Sequence, residues 1–379
     1  MAFRHRAAAP STSPPENRMK FESFRYMAWA KENGQGRFAL SLAESGTRSV
    51  SADELGIDPG TVALNGVDRY GPPELMTRLA GFLGVSERNV VRASGTSLAN
   101  FLAYGAVLDR GDEALVETPS YEGLHGLPQL FGAVARPFPR DERFGIDPER
   151  VIGLVSPRTR LVVLSNLHNP SGVAASDPAL AEIGRAAERN GFHVLVDEVY
   201  QDFLGERPLA TAFLRLGPRF LATSSLTKVY GLGGLRIGFL VAEDEVARRA
   251  EQLMDYLSVV TSYPSSMIAC RALDRIAALR ERALAIAREN FAIVREWASR
   301  EAGRIEWTPP DAGIIAFLRL RGGKSGDDVA FELLRRHETL VVPGSFFGAR
   351  DCIRIGFGGK ADALRRSLSN LSLVLAARP

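Results

Sequence analysis

Ser224-Ser225-Leu226-Thr227-Lys228-Val229-Tyr230-Gly231-Leu232-Gly233-Gly234-Leu235-Arg236-Ile237-Gly238 sets two strand ends against one polar loop. The apolar run Phe220-Leu221-Ala222 leads into two hydroxyls and a lysine, and an arginine heads a second apolar run from Ile237 to Val241. One amine and one guanidinium thus stand eight positions apart at the mouths of adjacent buried strands. Partial desolvation and a neighbouring cation both favour the neutral, nucleophilic form of such a lysine. Hydroxyls and an arginine beside it suit a phosphate.

A Schiff-base lysine next to a phosphate cradle is what pyridoxal phosphate requires. Two other readings stay open on these residues alone: Ser225-x-x-Lys228 also matches acyl transfer with a serine nucleophile, and a glycine-rich loop with a lysine is often a solvated turn.

Working outward, the strands read as uninterrupted apolar runs separated by amphipathic helices. They are Val90 to Ala93, Ala114 to Val116, Val134 to Arg136, Leu161 to Leu164 and His193 to Val196, with helices at Glu74–Leu83, Leu98–Leu108, Glu122–Leu130 and Ala179–Asn190. That alternation predicts an α/β fold: a mostly parallel sheet covered by helices on both faces, with its ligand site at the strand ends. After Val241, helices at Glu243–Leu257 and from Met267 to Arg300 precede short strands around a helix at Asp327–His337, which predicts a smaller α+β domain. Phe21 to Lys31 reads as an N-terminal helix with an aromatic stripe. The expected division is a disordered tail at 1–18, an N-terminal segment at 19–48 packing with the small domain, a large domain at 49–262 and the small domain at 263–379.

Composition narrows the function. The formal charge is +3, from 47 basic and 44 acidic residues, with no basic stripe for nucleic acid and no apolar run long enough for a membrane span. Cys270 and Cys352 form no metal-ligand spacing, so no metal is expected, and so few cysteines fit a reducing cytoplasm.

Four turns at strand ends carry the polar residues. Gly95-Thr96-Ser97 opens a helix and offers an anion site at its N-terminus. Asn169-Pro170-Ser171-Gly172 fixes an amide, Asp197-Glu198-Val199-Tyr200 places an acid at a strand end, and Ser225, Lys228 and Arg236 complete the set. Singly each has a plain reading as a turn or a cap. Their ordered combination resembles the fold-type I pyridoxal-phosphate enzymes, specifically the class I/II aminotransferases, from about Phe21 to the C-terminus.

That resemblance implies a pyridoxal 5'-phosphate enzyme passing an amino group between an α-amino acid and a 2-oxo acid by ping-pong kinetics. Lys228 would form the internal aldimine, Asp197 would pair with the pyridine nitrogen, and Asn169 and Tyr200 would hydrogen-bond the ring oxygen. Ser225, Arg236 and the Gly95-Thr96-Ser97 turn would bind the phosphate, and Tyr121 would stack on the ring. Tyr70 would reach the other subunit's site, which implies a homodimer. Arg354 would grip the substrate carboxylate, with Ser45 and Gly46 beside it. The turn at Ala43-Glu44-Ser45-Gly46 departs from the common Gly-x-Pro, and Asn166-Leu167-His168 precedes Asn169 where Pro-Asn is frequent. Both features look like a subgroup that also holds capreomycidine-synthase-like enzymes, which use the same lysine and cofactor for elimination and cyclisation. His168 reads as structural. A regulator built on such a domain would need a DNA-binding domain that the short, Pro-rich segment before Phe21 does not offer. Acyl transfer by Ser225 would leave Asp197, Asn169 and Arg236 idle.

Overall fold

The computed structural model describes residues 22–33, 38–205 and 211–377. The tail at 1–18 and Phe21 lie outside the described residues.

Seven strands form the large sheet: β1 (Val90–Ala93), β2 (Glu113–Thr118), β3 (Val134–Pro139), β4 (Thr159–Ser165), β5 (His193–Asp197), β6 (Phe220–Ser225) and β7 (Gly238–Val241). Their order is β1-β7-β6-β5-β4-β2-β3, and β7 alone runs antiparallel to its neighbours. The apolar runs are buried on both faces because side chains alternate. Leu161, Val163, Leu195, Leu221 and Leu240 join one apolar cluster; Val162, Leu164, Val194, Val196 and Phe220 join another. The first is covered by helices Thr96–Val107 and Asp244–Leu257, the second by Asp177–Asn190. Pro137 and Pro139, which cannot donate to a ladder, lie on the edge strand β3. The fold class expected from the sequence is the one observed.

Because β7 is antiparallel, its start lies beside the ends of β1 and β6. Gly238 faces both Ala93 and Ser225. The Gly95 turn, the Ser225 hydroxyl and Arg236 therefore meet at one end of the sheet, where β4 and β5 also end.

The second lobe is an antiparallel sheet ordered Val342–Pro343, Cys352–Gly356, Ile315–Leu320, Ile305–Trp307, backed by helices Ile276–Arg300, Gly326–His337 and Ala361–Ala376. Leu40–Ser41 pairs in parallel with Thr339–Leu340, which brings the N-terminal segment to this lobe. One apolar cluster unites Leu226, Val229 and Tyr230 of the lysine loop with Ile315, Ile353 and Phe357 of the second sheet. No helix among the described residues is long and apolar enough to cross a membrane.

Several boundaries differ from the sequence reading. The first helix is Arg25–Asn33. The stretch from Met267 to Arg300 is two helices, Tyr263–Leu273 and Ile276–Arg300, broken where Asp274 accepts from Arg78 (3.0 Å) and Arg275 donates to Glu54 O (3.1 Å). Tertiary partners there override a helical period. The helix at Glu122 stops at Gly126, and Pro128, lacking an N–H, begins a 3-10 turn instead. Thr96 and Ser97 lie inside the helix that begins at Thr96, with Gly95 as its cap.

Candidate active site

Gly95 takes φ +85°, open to glycine, and a Cβ there would lie 2.3 Å from Arg236 Nη2. A Cβ on Gly238 would in turn lie 2.4 Å from the Gly95 carbonyl carbon, so two glycines let the turn settle on β7. Thr96 Oγ1 donates to Ser225 Oγ (2.9 Å), and Arg236, itself at φ +56°, donates to Ser94 O (2.9 Å). Two hydroxyls, a guanidinium and the N-terminus of a 12-residue helix thus face one point, an arrangement that can take a phosphate. Ser97 sits exposed on that helix and lines a cleft of about 650 Å³ together with Asn100 and Tyr121.

Lys228 Nζ donates to Ser45 Oγ (2.8 Å), and Tyr200 Oη donates to Ser45 O (2.9 Å). Thr47 N donates to Lys228 O (2.9 Å), which ties the N-terminal segment to the lysine loop. Burial first, then the cations of Arg354 and Arg236, brings the Lys228 amine down to about 8. Burial pushes the Tyr200 hydroxyl up to about 12. Gly46 lies close to the backbone of Lys228.

Asp197 ends β5 and is buried. Its Oδ2 accepts from Asn100 Nδ2 (2.9 Å) and its Oδ1 from Val199 N (3.1 Å). Asn100 Oδ1 accepts from the Thr223 hydroxyl, so the amide cannot flip without losing a bond. Burial raises Asp197 to about 6 against the pull of those two donors. Asn100 carried no signal in the sequence beyond standing one helical turn past Thr96.

Asn169 N donates to Ser165 Oγ (3.0 Å), while its buried Oδ1 has no hydrogen-bond partner. Ser165 is held from beneath: its N and Oγ both donate to Glu117 Oε1, and Glu117 pairs with Arg140 at 2.7 Å with both side chains fully buried. His168 is likewise enclosed. Its Nε2 reaches Pro119 O (2.7 Å), which only a protonated ring nitrogen can do, leaving Nδ1 to accept from Ser171 (2.6 Å). Burial drives its pKa well down, so it is a neutral structural residue, as the sequence reading holds.

Arg354, in the strand Cys352–Gly356, is 1% exposed. Its Nη2 donates to Ala43 O (2.6 Å) and Tyr26 Oη (3.3 Å), and its guanidinium carbon lies 5.8 Å from the centre of Tyr26 and 5.6 Å from that of Phe347. Nε has no partner. Tyr26, part of the aromatic stripe read as packing, also meets Tyr121 edge-on at 5.7 Å.

Tyr70 stands apart. It is 56% exposed before Gly71, and no hydrogen bond or ring contact joins it to the rest of the set.

The residues fit pyridoxal phosphate: an anion cradle, a buried acid held in a fixed orientation, an amine brought towards neutrality, and a buried amide on Asn169 whose oxygen has no partner. A model of class I and II aminotransferases matches residues 57–371. Capreomycidine synthase from Streptomyces vinaceus is 33% identical over 343 residues, 87% of this chain and 88% of that protein. Arginine–pyruvate transaminase from Pseudomonas aeruginosa is 30% identical over 308 residues, 77% of this chain and 76% of that protein. A solved pyridoxal-phosphate-dependent aminotransferase from Streptococcus suis matches 94% of this chain and 98% of its own with a TM-score of 0.87 at 25% identity.

Proposed function

We propose, from the premise that the chain belongs to the class I and II aminotransferase family and uses pyridoxal 5'-phosphate, that it carries an amino group from an α-amino acid to a 2-oxo acid in two half-reactions. The observation behind this reading is Arg354. A guanidinium enclosed to 1% exposure, with no carboxylate paired to it among the described residues, is costly by several kcal/mol until an anion meets it. A substrate carboxylate is planar and bidentate, as the guanidinium is.

When bound, the cofactor supplies an aldehyde that takes up an amine and a cationic ring that draws electrons from the neighbouring carbon. The chain's own residues do the rest. Ser225, Thr96, Ser97, Arg236 and the Gly95 turn would hold the phosphate, and Tyr121 would cover a ring face. Asp197, oriented by Asn100, would keep a ring nitrogen protonated, and Asn169 and Tyr200 would bond the ring oxygen. Lys228 suits proton transfer at the substrate Cα, since an amine near 8 can both accept and return a proton near neutrality. Ser45 and Gly46 would border the substrate beside Arg354.

We take residues 49–262 as the cofactor-binding domain and 19–48 with 263–379 as the second, supported by the pairing of Leu40–Ser41 with Thr339–Leu340. A homodimer is part of the proposal: Tyr70 is exposed, as are the apolar Leu64 and Val67 a few residues before it, in keeping with a residue offered to a partner's site. Two buried free thiols, Cys270 and Cys352, are in keeping with work in the cytoplasm.

A second reading keeps the site and changes the outcome to elimination and cyclisation; the 33% identity to capreomycidine synthase favours it. One experiment separates them. With an amino acid alone and no 2-oxo acid, transamination converts the cofactor to pyridoxamine phosphate, seen in its absorbance, whereas elimination returns the starting spectrum. No spectral change with any amino acid, neither a transient one during the reaction nor a lasting one after it, would overturn both.

A further inference from the structure

One short stretch of chain, Leu42 to Thr47, touches both of the groups on which the proposed reaction turns. Leu42 N donates to Leu340 O (2.7 Å) and Gly356 N to Leu42 O (2.6 Å), which stitches the stretch to the second lobe. Ala43 O accepts from Arg354, and two residues on Ser45 Oγ accepts from Lys228 Nζ. Thr47 then closes the stretch onto the lysine loop, its N donating to Lys228 O (2.9 Å) and its hydroxyl to Val229 O (2.8 Å). Ser45 is buried between these anchors, and Tyr200 Oη holds its carbonyl as well.

The Ser45 hydroxyl gives the Lys228 amine its one hydrogen bond among the described residues. A four-carbon stem has many rotamers, and this bond selects one of them. A neutral amine that donates an N–H keeps its lone pair free, as a base must. A carboxylate in the same place would instead hold the amine as a cation and raise its pKa. An uncharged acceptor fixes the amine without that penalty.

We infer that Ser45 is a positioning residue: its hydroxyl holds the Lys228 amine, whenever that amine is off the cofactor, with the lone pair turned to the substrate Cα. The inference rests on the aminotransferase reading for the proton that is moved. That proton leaves the Cα–H bond for Nζ, the electron pair of the broken bond passes to the cofactor ring, and Nζ later gives the proton back. With Arg354 tied to Ala43 and Lys228 to Ser45, the stretch sets the distance between the carboxylate grip and the base.

The test sets the wild type beside Ser45→Ala and Ser45→Thr, and its first readout needs no turnover. Trace acetylation of cofactor-free protein across pH, read by mass spectrometry on the peptide that holds Lys228, titrates this amine apart from the other lysines. Arg354, Arg236, Asp197 and Glu44 act on the amine in all three proteins. Ser45→Ala removes an acceptor that bonds the ammonium more strongly than the amine, so the Lys228 midpoint should fall by about one unit, and Ser45→Thr should restore it. In the holoenzymes, half-reactions with alanine and with arginine, each protiated or deuterated at Cα, give a limiting rate, a saturation constant and an isotope effect. Ser45→Ala should lower the limiting rate about tenfold or more, part of the roughly 10²-fold or more that a placed base supplies. The saturation constant should stay in place, and the isotope effect should be at least as large as the wild type's. Ser45→Thr should recover most of the rate. An unmoved midpoint in Ser45→Ala, a loss that falls on the saturation constant instead of the rate, or a Ser45→Thr no better than Ser45→Ala overturns the inference while leaving aminotransfer intact. If no donor changes the cofactor spectrum in any of the three proteins, aminotransfer itself fails, and the midpoints still decide whether Ser45 holds the amine.

Discussion

The Lys228 amine rests on the Ser45 hydroxyl at 2.8 Å, so the amine proposed as nucleophile sits in one lobe and is held by a turn that the other lobe carries. Condensation with an aldehyde requires the neutral amine. With its pKa brought from 10.5 down to about 8, Lys228 is about one-tenth neutral at pH 7 and mostly neutral above pH 9. The rate at which cofactor-free protein captures pyridoxal phosphate should therefore climb with pH through about 8 and then level off. Stopped-flow absorbance reads this directly. Lys228→Ala should show no such absorbance at any pH, and a wild-type rate that is flat across the range would contradict the assignment.

Asp197 works in the opposite sense. Burial lifts its carboxyl to about 6, so below that pH it is neutral and offers no charge to a protonated ring nitrogen. Cofactor affinity should weaken on going from about pH 7.5 to pH 5. The cofactor phosphate also titrates near pH 6, which would weaken binding in any variant. Asp197→Asn separates the two, because it keeps the phosphate contribution and loses the carboxyl one. A fluorescence titration should find a shallower pH dependence in the variant, with turnover slowed by about 10²-fold or more. Equal slopes and unchanged turnover would remove Asp197 from the chemistry.

Arg354 is clasped between the Tyr26 and Phe347 rings, with one nitrogen spent on Ala43 O. Arg354→Lys preserves the charge and loses the planar fork. KM for every α-amino acid should rise by roughly 10²-fold, the worth of a charged hydrogen bond in an enclosed site. Because the loss concerns the carboxylate common to all donors, the effect should be uniform across a donor panel. An effect confined to one donor would move the carboxylate grip elsewhere.

The strands of the large sheet were legible because burial on both faces leaves uninterrupted apolar runs such as Leu161 to Leu164, and the turns after them carried their chemistry in the chain itself. Ala361–Ala376 carries a helical period too, with Leu364, Leu368, Leu371 and Leu375 on its buried face. Asn100, Tyr26 and the Glu117–Arg140 pair are a different matter. Asn100 meets Asp197 across 97 residues and Tyr26 meets Arg354 across 328, and no spacing along one chain encodes contacts of that range. An amide on a helix and an aromatic in an amphipathic stripe both look like packing until the partner is in place.

Glu117 and Arg140 lie at 2.7 Å with neither side chain exposed, and Glu117 also receives both donors of Ser165, whose hydroxyl in turn accepts from Asn169 N. Removing one member leaves the other charge buried without a counter-ion, at about 3–5 kcal/mol. Glu117→Gln should therefore lower the unfolding free energy from denaturant titration by an amount in that range, and Arg140→Met likewise. The double variant should be less destabilised than the sum of the two, since it leaves neither charge alone. The pair also fixes Asn169, so the single variants that fold should bind the cofactor with an altered absorbance while its phosphate contacts persist. Additive losses in the denaturation curves, with an unaltered spectrum, would mean that the pair neither couples nor supports the Asn169 turn.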